Sequence, residues 1–184
     1  MNKIVIIEDK LTNAVRIARQ LNGWIEEENL ANLIEIAQIF LFKSNKEEVE
    51  AEKEKYIDRY GGLEFHVEPV CLWDFDEKLD SCMEDVEHIT FFVIDYLLTE
   101  HDEDGSGGIP EYRVNIRYAK RQSENRKNRL FFYTLTGAVN FNILCGLVGA
   151  EHVLPAKYEQ GIDPCLDLQH IDIFRQTIVD TIDN

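Results

Sequence analysis

Short runs of β-branched and aromatic residues alternate along this chain with stretches whose apolar positions recur at helical spacing. Lys3 to Ile7 is one such run and ends in Glu8-Asp9. A run without polar alternation predicts a strand buried on both faces. Leu11, Ala14, Val15, Ala18 and Leu21 then follow a helical period, and Asn22-Gly23 supplies a stop. Glu64 to Leu72 reads as a strand, with Pro69 indicating an edge or late position. Trp73 to Glu84 reads as a short helix with Phe75, Leu79 and Met83 inward. Ile89 to Asp95 is the most apolar run and ends abruptly in a carboxylate. Pro110 opens a helix over Glu111 to Asn128 that is rich in Arg and Lys. Leu130 to Leu135 is a strand followed by Thr136-Gly137, and Ala138 to Val148 a helix. Glu151 to Leu154 is a short strand leading to Pro155-Ala156-Lys157. Leu168 to Ile182 closes the chain as a helix, with Ile171, Phe174, Ile178 and Ile182 inward.

The segment from Trp24 to Tyr60 does not sort so simply. Leu30, Leu33, Ile34, Ala37, Phe40 and Leu41 suit a helix, yet Ile36 to Phe42 suits a strand equally. Ser44-Asn45 before Lys-Glu-Glu reads as a helix N-cap, and Gly61-Gly62 ends that helix after Tyr60. Taken as an inserted, mainly helical segment after the first helix (about 24–60), it leaves strand and helix alternating five times. That order predicts an α/β domain over residues 1–184 with a doubly wound, five-stranded parallel sheet. Right-handed crossovers place the carboxyl ends of such strands on one edge. Glu8, Asp9, Asp95, Thr136 and Lys157 all follow strand ends, so they can converge. Thr134 shares the direction of Thr136 on a two-residue period, which leaves the choice of hydroxyl open.

Charge narrows the function. The formal net charge is −16 over 184 residues. This excludes a general nucleic-acid binder, which needs clustered Lys and Arg, and disfavours an anionic membrane surface. It suits binding of cations. Cys71, Cys82, Cys145 and Cys165 show no zinc-ligand or redox spacing, so a reducing, cytoplasmic compartment is expected. No stretch is long and apolar enough to span a membrane, and the amino-terminal run is too short and too acidic for a signal peptide.

Carboxylates gathered at strand ends repel one another, and a hard divalent cation relieves the repulsion. Mg²⁺ suits two carboxylates, a carbonyl and waters. Such an ion also binds phosphate oxygens and stabilises charge in phosphoryl transfer. A carboxylate with a free oxygen can act as nucleophile and form an acyl phosphate. A neighbouring Lys supplies a point charge, and a hydroxyl on the adjacent strand a hydrogen bond. Asp102, Asp104 and Ser106 alternate in the acidic glycine loop after Asp95, but no glutamate follows at calcium-loop distance. Arg113, Arg117, Lys120, Arg121 and Arg126 form a basic helix face, either solvated or turned to an acidic partner.

Four pieces carry a family resemblance: Ile4-Val5-Ile6-Ile7-Glu8-Asp9, Phe91-Phe92-Val93-Ile94-Asp95, Phe131 to Gly137, and Gly149 to Lys157. In this order the chain resembles a response-regulator receiver domain, apart from roughly 24–60. The resemblance implies a flavodoxin-like fold with Mg²⁺ held by Glu8, Asp9, Asp95 and the backbone carbonyl of Leu97. It implies Asp95 as phosphoacceptor, Thr136 as the hydroxyl and Lys157 as the cation. Lys157 stands one residue later after Gly149-Ala150 than the family pattern has it, and Tyr158 follows where a proline is usual. The implied partners are a histidine kinase or phosphotransfer protein upstream and an unnamed protein downstream. The expectation is a stand-alone receiver in a phosphorelay, since no output domain follows the last helix. It catalyses at most its own phosphorylation and dephosphorylation. The rival expectation is a degenerate receiver acting as a phosphorylation-independent interaction module. A Mg²⁺-dependent phosphatase or nuclease using the same carboxylates ranks below both, because no second Asp stands two residues after Asp95.

Overall fold

The apolar runs become the strands of one sheet. The computed structural model describes residues 1–71, 73–85, 87–96, 98, 129–135, 139–159 and 162–183. In chain order these form β1 (Asn2–Glu8), α1 (Leu11–Glu27), β2 (Ile34–Phe42), α2 (Lys46–Tyr60), β3 (Val67–Val70) and α3 (Phe75–Met83). There follow β4 (Thr90–Asp95), β5 (Leu130–Leu135), α4 (Val139–Val148), β6 (Val153–Glu159), β7 (Ile162–Leu166) and α5 (Asp172–Ile182). Single 3₁₀ turns precede β6 and α5, at Ala150–His152 and Leu168–His170. The acidic glycine loop, the basic helix expected over 111–128, Leu97 and Thr136 lie outside the described residues.

The sheet has seven strands in the order β3-β2-β1-β4-β5-β6-β7, not five. All pairings are parallel except that of β6 with β7. The segment expected as a helical insertion is therefore corrected. Ile34–Phe42 is β2, paired with β1 from Asn2↔Ile34 to Glu8↔Leu41. Its Ile39 to Phe42 are all buried, as a strand covered on both faces requires. The two strands beyond the five expected are β2 and the antiparallel β7, and β3 forms the outer edge. Pro69 lies on that edge strand, where a missing N–H costs least.

Helices cover both faces. Leu11, Val15, Ala18 and Leu21 of α1, Val49 and Tyr56 of α2, and Phe174 and Ile178 of α5 pack with Ile4, Ile6, Phe91, Val93, Phe131 and Tyr133. Phe75 and Leu79 of α3 and Leu144 of α4 pack on the other face with Val5, Ile7, Phe92, Ile94 and Phe132. The alternation along β1, β4 and β5 matches the two-residue side-chain period. Helix α1 continues past the stop expected at Asn22-Gly23 and ends at Glu27. Burying Trp24 against Phe174, centroids 5.4 Å apart, contributes about 1.5–3 kcal/mol and offsets the roughly 1 kcal/mol cost of a helical glycine. The reversal comes at Asn29, whose φ is 58°.

The final strand pair is a second correction. The short strand expected over Glu151–Leu154 begins at Val153 and runs to Glu159, carrying Pro155 and Lys157 within it. Pro155 sits in register opposite Thr134, and its carbonyl accepts from Asp167 N at 2.8 Å. Strand β7 returns antiparallel along β6. Among the described residues no helix is long and apolar enough to cross a membrane.

Candidate metal centre

Strand order positions the site. The chain moves outward from β1 through β2 and β3, then returns to β4 on the other side of β1. Ligands in open α/β sheets bind at this reversal, outside the carboxyl ends of the strands. Glu8 ends β1, Asp9 follows it and Asp95 ends β4. One carboxylate oxygen from each of these three residues lies within 4.8 Å of the others. The six parallel strands share the order of dinucleotide-binding sheets. The turn after β1 is Glu8-Asp9-Lys10, however, where such sheets carry a glycine-rich phosphate loop.

Glu8 and Asp9 are almost wholly buried, at 1% and 6% exposure. Two donors hold the Glu8 carboxylate: Lys10 N on Oε2, and Asn13 Nδ2 on Oε1 at 3.1 Å. Burial, then the charges of Asp95 and Asp9, raise the Glu8 pKa well above the ordinary carboxylate value; the Lys10 and Asn13 hydrogen bonds only partly counter them. Tyr133 lies in register opposite Asp95 and is 4% exposed. Burial and the charges of Glu8, Asp95 and Asp9 push its phenol well above its usual value, and a loose hydrogen-bonding contact with Glu8 adds to this. The hydroxyl nonetheless makes no hydrogen bond of full geometry among the described residues.

The donor set fits a hard cation. Two oxygens on one ion stand apart by at most twice the metal–oxygen distance, about 4.2 Å for Mg²⁺ and about 4.6–5.2 Å for Ca²⁺. Three oxygens within 4.8 Å of one another are close enough to ligate one such ion once the side chains draw in around it. An all-oxygen, all-carboxylate set excludes the softer metals that prefer thiolate or imidazole.

Of the residues expected at the site, Glu8, Asp9 and Asp95 are brought together. Leu97 and Thr136 are outside the described residues. Lys157 lies within β6. Asp95 pairs with Tyr133 and Tyr133 with Leu154, so Lys157 stands three residues further along β6, about 10 Å. Its ammonium meets Asp167 Oδ1 at 3.3 Å. Asp167 itself lies beside Pro155, so the lysine leans back along its strand. Thr134, the alternative hydroxyl, is buried, and its side chain alternates to the face opposite Tyr133.

Sequence reasoning missed Asn13 and Tyr133. Asn13 carries a visible signal, a poor helix former inside the first turn of α1. Tyr133 required the register between β4 and β5, which a single sequence does not state. Comparison with protein-family models, with curated proteins and with solved structures finds no match to this chain.

Proposed function

We propose that the protein is a receiver-like phosphoacceptor in two-component signalling, with Asp95 taking the phosphoryl group. The observation that supports this reading most is the meeting of Glu8, Asp9 and Asp95 at the carboxyl ends of β1 and β4. Mg²⁺ is the cation proposed for these residues, and when bound it supplies charge stabilisation for phosphoryl oxygens. An Asp95 oxygen attacks phosphorus, the bond from phosphorus to the donor breaks, and the donor's leaving group departs with the bonding electrons. The product is an acyl phosphate on Asp95. Asp9 shares the cation, and Asn13 and Lys10 N hold Glu8 in place. The upstream donor is a histidine kinase, a phosphotransfer protein or a small phosphoryl donor, and the readout is altered binding of a downstream protein. The chain catalyses at most its own modification.

Incubation with acetyl phosphate and Mg²⁺, read by intact-protein mass, tests this. The wild type gains one phosphoryl group and Asp95→Asn gains none. Absence of labelling by acetyl phosphate, phosphoramidate and a phosphorylated phosphotransfer protein would sink the reading.

One observation favours a second reading. The ammonium of Lys157 is paired with Asp167. A receiver without that lysine at its site keeps the fold as a phosphorylation-independent interaction module. Partner binding unchanged by Asp95→Asn supports this alternative.

A further inference from the structure

Three buried polar atoms of the carboxyl edge lack a partner among the described residues: Asn13 Oδ1, Tyr133 Oη and Thr134 Oγ1. Buried polar groups of native proteins are nearly always satisfied, so each asks for an account. Thr134 alternates to the other face of the sheet, leaving Tyr133 as the buried hydroxyl on the side of the carboxylates, close to Glu8 but short of a hydrogen bond of full geometry. Its strand position is fixed by the main chain. Asp95 and Tyr133 are register partners, and Tyr96 N donates to Tyr133 O at 3.1 Å. Phe131, one period earlier on the same face, packs edge-on against Phe174 with centroids 4.6 Å apart.

We propose that Tyr133 is a positioning residue of the metal centre, whose hydroxyl donates to Glu8 when the cation is bound. This rests on the reading of Glu8, Asp9 and Asp95 as a cation site. Glu8 already accepts from Lys10 N on one oxygen and Asn13 Nδ2 on the other. Each carboxylate oxygen has capacity for two contacts, so a third donor and a cation can be served together. A phenol among carboxylates keeps its proton and can approach them only as a donor. The cation fixes the direction of the carboxylates and gives that proton a defined acceptor. Partners of this kind, which touch a ligand and not the metal, typically alter metal affinity 10- to 100-fold when removed.

The test compares wild type with Tyr133→Phe, which keeps the ring and deletes only the unpartnered hydroxyl. Three measurements are made on the whole chain: melting in a chelator, Mg²⁺ affinity by calorimetry, and the near-ultraviolet spectrum during the Mg²⁺ titration. The expected result is a metal-free melting temperature equal to or above wild type, with Mg²⁺ affinity about ten-fold weaker or more. Wild type should also show a tyrosine difference spectrum on Mg²⁺ addition that the variant lacks. Equal Mg²⁺ affinity in the two proteins overturns the role of Tyr133 and leaves the cation site standing. A metal-free variant that melts well below wild type also overturns it, since the hydroxyl is then structural. Failure of wild type itself to bind Mg²⁺ overturns the cation site and the role of Tyr133 together. Asp9→Asn, expected to lose Mg²⁺ binding while folding normally, marks that case.

Discussion

The two edges of the sheet handle their polar groups in opposite ways. At the amino edge the groups are completed. Asn2 donates through Nδ2 to Leu33 O at 3.0 Å and accepts at Oδ1 from Ile89 N at 2.8 Å, tying the starts of β2 and β4 across β1. Thr90 donates to Cys82 O at 2.8 Å, and Asp85 accepts from Glu87 N, His88 N and Lys3. At the carboxyl edge, three carboxylates crowd together, and among the described residues Asn13 Oδ1, Tyr133 Oη and Thr134 Oγ1 make no hydrogen bond of full geometry. Stability alone selects the first arrangement. The second costs stability, and folds break local rules chiefly where function demands it.

Removing the like charge at the carboxyl edge should give the largest change. Glu8 has its pKa raised by burial, Asp95 and Asp9, so the folded state binds its proton more tightly than the unfolded chain does. Its contribution to stability is present below the ordinary value of 4.5 and is lost as pH rises through the folded value. Glu8→Gln should then stabilise the metal-free protein at neutral and alkaline pH by about 0.5–2 kcal/mol, and abolish stabilisation by Mg²⁺. Melting curves across pH, in chelator and in Mg²⁺, check both. Identical curves for the two proteins would erase the contrast between the edges.

Asn2→Ala probes the completed edge and should act in the opposite sense. It leaves Ile89 N without its acceptor and should cost about 1–2 kcal/mol. Mg²⁺ affinity should be unchanged, since Asn2 lies at the far end of β1 from Glu8. An affinity loss in this variant would mean that the two edges are coupled.

The same contrast explains what could be read from the sequence. The strands β1, β4 and β5 were legible, since each is an unbroken apolar run, and the acids ending β1 and β4 were legible with them. Ile36 to Phe42 fits either period, so β2 emerged only when β1 was seen to need a neighbour. Strand β7 was illegible, because Ile162-Asp163-Pro164-Cys165-Leu166 is short and interrupted by proline, and its pairing with β6 is what orders it. Thr136, the hydroxyl expected at the end of β5, lies outside the described residues. The register places Tyr133 opposite Asp95, and register is a property of two strands together.

A smaller effect is expected from His152, buried in the 3₁₀ turn before β6. Leu130 O can only accept, so its 3.0 Å contact with Nδ1 requires the proton on Nδ1. Burial lowers the His152 pKa from its ordinary 6.5, against the opposing pull of the Leu130 carbonyl and Glu151. The unfolded chain then takes up the proton first, so stability falls as pH drops through 6.5 toward the folded value. Wild type should lose melting temperature on that interval in chelator, and His152→Leu should show a shallower slope. A slope unchanged by the substitution would assign the acid sensitivity to other groups.

The smallest stability effect belongs to Lys157→Met, and it separates the two functional readings. The Lys157–Asp167 pair is partly exposed, at 42% and 17% of the side chains, and such pairs contribute about 0–1 kcal/mol. Melting should therefore barely move. Function should respond differently under each reading. If phosphoryl transfer to Asp95 draws Lys157 away from Asp167, Asp167→Asn frees the lysine and strengthens the partner response to labelling, while Lys157→Met abolishes it. If the ion pair is permanent, both variants bind the partner as wild type does, whatever the state of Asp95. The lysine is then a feature of the β6–β7 pair alone.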